Sequence, residues 1–269
     1  MTFTQLPRWS PKPTWPDKSK LPTMYDLPSE DPEEPGLPDE FHDYQPELLS
    51  ATFKLPNYAA DNLLTAADLN LYYDPDHLNW YKRPDWFAAL GVSRAYEGKD
   101  MRLSYVIWQE EVSPFVVVEL ISPGTENEDF GRSLQVAGRP PTKWTVYEEV
   151  LQIPYYVIYD RYTDTLSGFH LVDGRYRPIE IGADRKIWMP EISAGLSLWQ
   201  GQYKHFTRTW LRCYTREGWV LTDLESERLE KQQAQQTAEQ AQQTAQQILK
   251  RNAQLEEKLR ALGIDIDDL

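Results

Sequence analysis

Cysteine is nearly absent. Cys213 is the only one in 269 residues, which excludes an internal disulfide framework and a cysteine-based zinc site. Histidine is sparse as well, and His42, His77, His170 and His205 lack the spacing of a metal-ligand motif. No apolar run reaches the roughly 18 residues of a membrane span, and the opening residues lack the basic start and apolar centre of a signal peptide. A cytoplasmic protein without membrane contact is therefore expected. Positive charge is also in deficit: 28 Lys and Arg face 42 Asp and Glu, for a formal net charge of −14. That balance argues against a generic nucleic-acid binder, which carries a basic face. Even residues 80–161 hold 12 acidic and nine basic side chains.

What the chain does have is enough apolar material for a core. Hydrophobic residues make up 41%, with ten Trp and 16 Tyr. Three regions follow from the composition. Residues 1–48 hold ten of the 20 prolines among acidic residues, and proline removes donors and fixes φ, so an extended, acidic arm is expected there. Residues 49–222 alternate strand-like runs with turn signals: "LSYVIW" (103–108), "FVVVELIS" (115–122) and "YYVIYD" (155–160). "TKWTVYEEVLQI" (142–153) carries Trp144, Tyr147 and Leu151 at helical spacing, and Asp173-Gly174 marks a hairpin turn. This order predicts an α/β domain with a mixed sheet and a crossover helix. Residues 223–269 turn to Glu, Gln, Ala and Leu. A seam runs through Ala234, Ala238, Ala241, Ala245, Ile248, Asn252, Leu255, Leu259 and Leu262. Such heptads predict a coiled-coil helix and a homo-oligomer, with Asn252 as the polar seam residue that sets register.

The stretch that demands chemistry is "FVVVELIS". As a strand it puts Phe115, Val117, Glu119 and Ile121 on one face and Val116, Val118, Leu120 and Ser122 on the other. Both faces are apolar, so the strand is central, and a lone carboxylate there is costly. A buried base or a hard divalent cation would stabilise Glu119 as a charge. Upstream, in "WYKRPDWFAALGV", Asp85 follows Pro84 at the edge of another strand-like run. An Asp opening one strand and a Glu in the next can converge on one cation. Lys143, at the start of the following helix, is then the candidate to stabilise charge or activate water.

The segments "RPDWF" (83–87), "PFVVVELISPGTENED" (114–129) and "KWTVYEEVLQIPYYVIYD" (143–160) together resemble the Uma-type family of restriction-endonuclease relatives in the PD-(D/E)xK nuclease superfamily. Lys143 and Tyr147 match its Lys-x-x-x-Tyr helix, and Asp129 its acidic turn. The resemblance implies a restriction-endonuclease-like mixed β-sheet core with flanking helices. It also implies Mg²⁺ or Mn²⁺ at Asp85, Glu119 and the backbone carbonyl of Leu120, with Lys143 as the third catalytic group. The superfamily's usual lysine, two residues after the glutamate, is here Ile121. Arg132 is the alternative cation, and Asp129 would orient Lys143 or bind a second ion. "SPGT" (122–125) could lie along a phosphate, although a turn is the simpler role.

The resulting expectation is a metal-dependent endonuclease hydrolysing DNA phosphodiester bonds. The alternative is an inactive nuclease-like scaffold that acts through its C-terminal helix in protein interaction, a reading that the acidic balance favours. Hydrolysis of another phosphoester ranks third.

Overall fold

A computed structural model describes residues 17–23, 26, 40–121, 126–136 and 138–261. Most of the proline-rich arm, the "SPGT" turn (122–125) and the tail from 262 lie outside the described residues. The chain divides into two compact units, Met1–Val220 and Leu221–Leu269.

In the first unit the elements run α1 (Glu40–Thr52), β1 (Leu63–Ala67), β2 (Leu71–Tyr72), β3 (Tyr81–Lys82), β4 (Trp86–Leu90), β5 (Tyr105–Val106), α2 (Ile107–Glu110) and β6 (Val116–Leu120). They continue with α3 (Glu126–Asp129), α4 (Lys143–Thr145), a π-turn (Val146–Val150), β7 (Tyr155–Asp160), β8 (Thr165–Val172), β9 (Arg175–Pro178), β10 (Lys186–Met189), β11 (Ala194–Tyr203), β12 (Phe206–Thr215) and β13 (Gly218–Trp219). A six-stranded sheet has the order β1-β4-β6-β7-β8-β9, beside a four-stranded sheet β10-β11-β12-β13 and a small sheet β3-β2-β5. In the large sheet β6 and β7 are parallel while the other neighbours are antiparallel, which makes it mixed, as expected.

Alternation along β6 divides the core. Val116, Val118 and Leu120 join α1 and the four-stranded sheet in one apolar cluster, through Leu48, Leu49, Ile187, Leu196 and Trp210. Val117 and Ile121 face the opposite way, with Phe87, Tyr147, Tyr156 and Ile158. Each such side chain stabilises the fold by about 1.5–3 kcal/mol on full burial. Phe115, expected on the face of Glu119, lies in the first cluster instead; strand pairing begins only at Val116, and Phe115 packs against Tyr155 at 5.3 Å.

Two local expectations need correction. The proline-rich arm was expected to extend to residue 48, yet residues 40–48 belong to α1. Phe41, Gln45, Leu48 and Leu49 recur at helical spacing and are buried, a short signal submerged by the prolines before it. "LSYVIW" is a strand only at Tyr105–Val106, where β5 pairs in parallel with β2. Ile107 then opens α2, which stops where Glu111 adopts a left-handed φ of 57°. Trp108 is buried there and donates to the carbonyl of Pro22 at 2.9 Å. The hairpin at Asp173-Gly174 forms as expected, with φ of 52° and 74° joining β8 to β9.

The second unit holds α5 (Asp223–Ala261), 39 residues long. Several of its apolar side chains are exposed, Ile248 at 53% and Leu255 at 49%, while Leu259 is half-buried. Among the described residues no helix is long and apolar enough to cross a membrane.

One buried side chain holds α1 against the second sheet. Gln45 donates to the carbonyl of Leu211 at 2.7 Å and accepts its N–H at 2.8 Å, completing the backbone of β12 as a neighbouring strand would. Gln45→Leu leaves both groups unpaired, at about 1–3 kcal/mol each. Urea unfolding should show a loss of about 2–6 kcal/mol on that basis; an unchanged midpoint would mean that neither bond matters.

Candidate active site

Strand register brings the first two residues together. Trp86 of β4 pairs with Val118 of β6, so Asp85, one residue earlier, stands opposite Glu119. Both belong to the face of Phe87 and Val117. Asp85 Oδ2 accepts the Leu120 N–H at 2.6 Å. A strand residue directs its N–H and C=O to the same edge, so the Leu120 carbonyl is turned toward Asp85 as well.

The crossover supplies the remainder. Parallel strands require a long connection, and that between β6 and β7 carries α3, α4 and the π-turn over the large sheet. Asp129 is the last residue of α3 and Lys143 the first of α4, where the Thr142 side chain accepts the Thr145 N–H at 3.2 Å. Lys143 Nζ donates to Glu119 Oε2 at 3.2 Å and to Asp129 Oδ1 at 2.9 Å. The Tyr147 hydroxyl donates to Glu119 Oε1 at 2.8 Å, and the Tyr156 hydroxyl to the backbone carbonyl of Asp129 at 2.9 Å. The expected helix over 142–153 is helical over residues 143–150, an α-turn that runs into a π-turn closed by Leu151 N–H on Val146 O at 2.8 Å. Such widened turns recur at functional sites; Lys143 and Tyr147, four residues apart on one helix face, both meet the Glu119 carboxylate.

The carboxylates of the site are buried, while Lys143 is 20% exposed. Glu119 and Asp129 are each 1% exposed. Burial pushes the Glu119 carboxyl up to about 8, against the pull of Lys143 and with the push of Asp85 and Asp129. Burial also raises Asp85, opposed by Lys143, the Leu120 N–H and His42. For Lys143 burial works against the charge, but Glu119, Asp129 and Asp85 together outweigh it and hold the ammonium above its ordinary range. Burial and the Glu119 charge raise Tyr147, which keeps its phenol protonated as a donor. A second ammonium, Lys82, lies 3.6 Å from Glu128; burial lowers its pKa, opposed by Glu128.

Asp85, Glu119 and Lys143 are therefore brought together, and Asp129 joins them through Lys143. Arg132, the alternative cation, stacks over the ring of Phe130 at 5.0 Å. Ile121 is buried in the apolar cluster. Sequence reasoning missed Lys82, three residues before Asp85, and His42, which lies in the stretch assigned to the arm. It noted Tyr147 only for its spacing from Lys143.

Among the described residues no group of three or more His, Cys, Asp and Glu side chains is arranged to hold a metal ion. The donor set still fits a hard divalent cation. Asp85, Glu119 and the Leu120 carbonyl are all oxygens, and Mg²⁺ is commonly held by one or two carboxylates with water and substrate completing its shell. Burial is the main cause of the raised carboxyls, and the pull of Lys143 only partly offsets it.

The family model described as "Uma2: Putative restriction endonuclease" matches residues 15–200. The chain belongs to this family. The match takes in Asp85, Glu119 and Lys143 and stops within β11, so the Uma2 assignment does not extend to α5. No curated protein matches the chain. Among solved structures it is similar to a "putative nuclease belonging to DUF820" from Anabaena variabilis ATCC 29413, at 11% identity and a TM-score of 0.41, over 58% of this chain and 76% of that one. At that score the likeness adds nothing to the fold, which rests on the sheet itself.

The raised Glu119 carboxyl has a consequence for stability. Its pKa moves from 4.5 to about 8 on folding, so the protonated form favours the fold. That contribution is complete below the unfolded value and is lost as the pH rises through the folded one. In EDTA, urea midpoints should fall between about pH 5 and pH 8 more steeply for the wild type than for Glu119→Gln. Parallel profiles would contradict the assignment.

Proposed function

We propose that this Uma2-family protein is a cytoplasmic, metal-dependent endonuclease that hydrolyses phosphodiester bonds in DNA. The observation that carries the reading is the half-buried ammonium of Lys143 spanning the buried Glu119 and Asp129 beside Asp85, at the carboxyl end of the central strand. Asp85, Glu119 and the Leu120 carbonyl would hold Mg²⁺ or Mn²⁺, which when bound polarises a phosphate and lowers the pKa of a coordinated water.

The chain's own groups have distinct parts in this reading. The Leu120 N–H fixes the Asp85 carboxylate, and the Tyr147 hydroxyl fixes Glu119. Asp129 keeps Lys143 charged and aimed at the strand end, where its ammonium offsets the negative charge that grows on a phosphate under attack. Lys143 also holds the metal-free site together, standing in for the cation that three carboxylates require. The crossover lysine thus takes the place left by Ile121.

The −14 net charge favours the competing scaffold reading, and the two readings differ in one assay. Supercoiled DNA with Mg²⁺ or Mn²⁺ should be nicked by the wild type. Asp85→Ala, Glu119→Ala and Lys143→Ala should each reduce nicking by about 10²-fold or more, as loss of a charge-stabilising group does. No metal-dependent nicking, or equal nicking by Glu119→Ala, would leave the scaffold.

The heptads of α5 support self-association, as a coiled coil buries its seam only against another helix. Light scattering should give an oligomer for the full chain and a monomer for Ile248→Lys/Leu255→Lys. A monomeric wild type at micromolar concentration would remove this part of the proposal.

A further inference from the structure

The outer face of the four-stranded sheet carries an aromatic row that the candidate active site does not use. Ile187, Leu196 and Cys213 of this sheet point into the core, so the residues that alternate with them face outward. Trp188 of β10 pairs with Gly195 of β11, Gly195 with Tyr214 of β12, and Tyr214 with Trp219 of β13. Four strands thus contribute three rings and one glycine to a single row. A Cβ at Gly195 would lie 2.6 Å from the Tyr214 ring, so the glycine is what lets that ring lean over β11 toward Trp188. The ring centres of Trp188 and Tyr214 are 5.7 Å apart, and those of Tyr214 and Trp219 6.2 Å.

The row borders an open cavity of about 410 Å³, within the roughly 300–1,000 Å³ of small-ligand sites. Two cations line it. Lys186 Nζ lies 5.4 Å from the Tyr214 ring centre, and the Arg216 guanidinium carbon 5.8 Å from that of Trp188. Among the described residues Arg216 makes no hydrogen bond or ion pair. The carboxyl of Glu217, next in the turn, is lowered first by a hydrogen bond from Thr215 and last by Arg216. Lys186 meets Asp184 at 3.6 Å, with side chains 44% and 60% exposed, and an ion pair so open to water is weak. No carboxylate is among the described residues that line the cavity.

Cations interleaved with aromatic faces are how an unpaired nucleotide is held, and a four-stranded sheet with rings on one face can stack about two or three bases. The register separates a strand from a free nucleotide. Lys186 pairs with Ser197 and Ser197 with Arg212, two residues before Tyr214, whereas Arg216 comes two residues after it. The cations therefore enter from opposite sides of the ring row. A base within a strand has a phosphate on each side, while a mononucleotide carries its charge at one end.

We propose that this face is an exosite for an unpaired nucleic-acid strand, with a base at the rings of Trp188 and Trp219 and its flanking phosphates at Lys186 and Arg216. The candidate active site belongs to the far face of the large sheet, beyond both sheets. The exosite thus goes beyond the nuclease reading and does not depend on the metal. It favours a single strand over a blunt duplex, whose paired bases cannot reach the rings.

The test is fluorescence polarisation of the full chain with a fluorescein-labelled oligothymidylate in EDTA, which prevents metal-dependent cutting. Arg216→Ala and Trp219→Ala, both in an exposed hairpin, should each weaken binding about fivefold or more. Arg216→Ala should also lower the slope of log affinity against log salt by about 0.7, the share of one phosphate on a single strand. Lys99→Ala, which removes an exposed charge elsewhere, should do neither. Equal effects of Arg216→Ala and Lys99→Ala would overturn the exosite, as would equally tight binding of a blunt duplex. Trp219→Phe keeps a ring and should retain most of the affinity; an unchanged affinity in Trp219→Ala, or an equal loss in both variants, would overturn the stacking. Displacement of the probe by micromolar thymidine monophosphate would overturn the strand assignment in favour of a free nucleotide.

Discussion

Everything at the centre of this protein depends on the ammonium of Lys143 lying between Glu119 and Asp129. Both carboxylates are almost fully buried, and removing an ion from water costs several kcal/mol unless a partner compensates. The compensating charge must come from outside the strand, because the strand's own candidate position is Ile121. The parallel pairing of β6 and β7 demands a crossover, and that crossover delivers the lysine. Tyr147 and Tyr156 then complete the hydrogen bonding of the same two residues. The arrangement supplies a partner and hydrogen bonds to the buried carboxyls, but not enough to offset burial at Glu119, which is pushed up to about 8.

Much of this was legible in the sequence, for identifiable reasons. An apolar run broken by Glu119 has only a few physical resolutions, and the spacing of Lys143 and Tyr147 matched a known helix pattern. The mixed sheet followed from the order of strand, strand, helix, strand and hairpin, and the hairpin from Asp173-Gly174. What stayed hidden has physical causes too. The helix over 142–153 forms over residues 143–150 and ends in a π-turn, a widening that the spacing of apolar residues does not encode. α1 was hidden by the prolines before it, since Phe41, Gln45, Leu48 and Leu49 supply only a brief periodic signal. His42 and Lys82 come near the site only through folding, and no local spacing marks them.

The acidic balance of the chain is less of an obstacle than it first looks. Net charge governs long-range attraction, whereas affinity for a phosphate depends on the cations that contact it. In the first unit, Lys143 and Lys82 lie beside the strand end, while the carboxylates Asp85 and Glu119 are the groups that a divalent cation would need. On the proposed reading, negative charge at the strand end is a requirement of the chemistry.

The central claim is that Asp85, Glu119 and the Leu120 carbonyl make one hard-cation site, with Lys143 as its resident counter-charge. The most direct measurement is the anomalous scattering of Mn²⁺ in crystals of the full chain. The account predicts one strong peak within about 2.0–2.6 Å of oxygens from both carboxylates, with Lys143 withdrawn from Glu119 toward Asp129. Absence of a peak there at saturating Mn²⁺, with Lys143 still bridging Glu119 and Asp129, would contradict it.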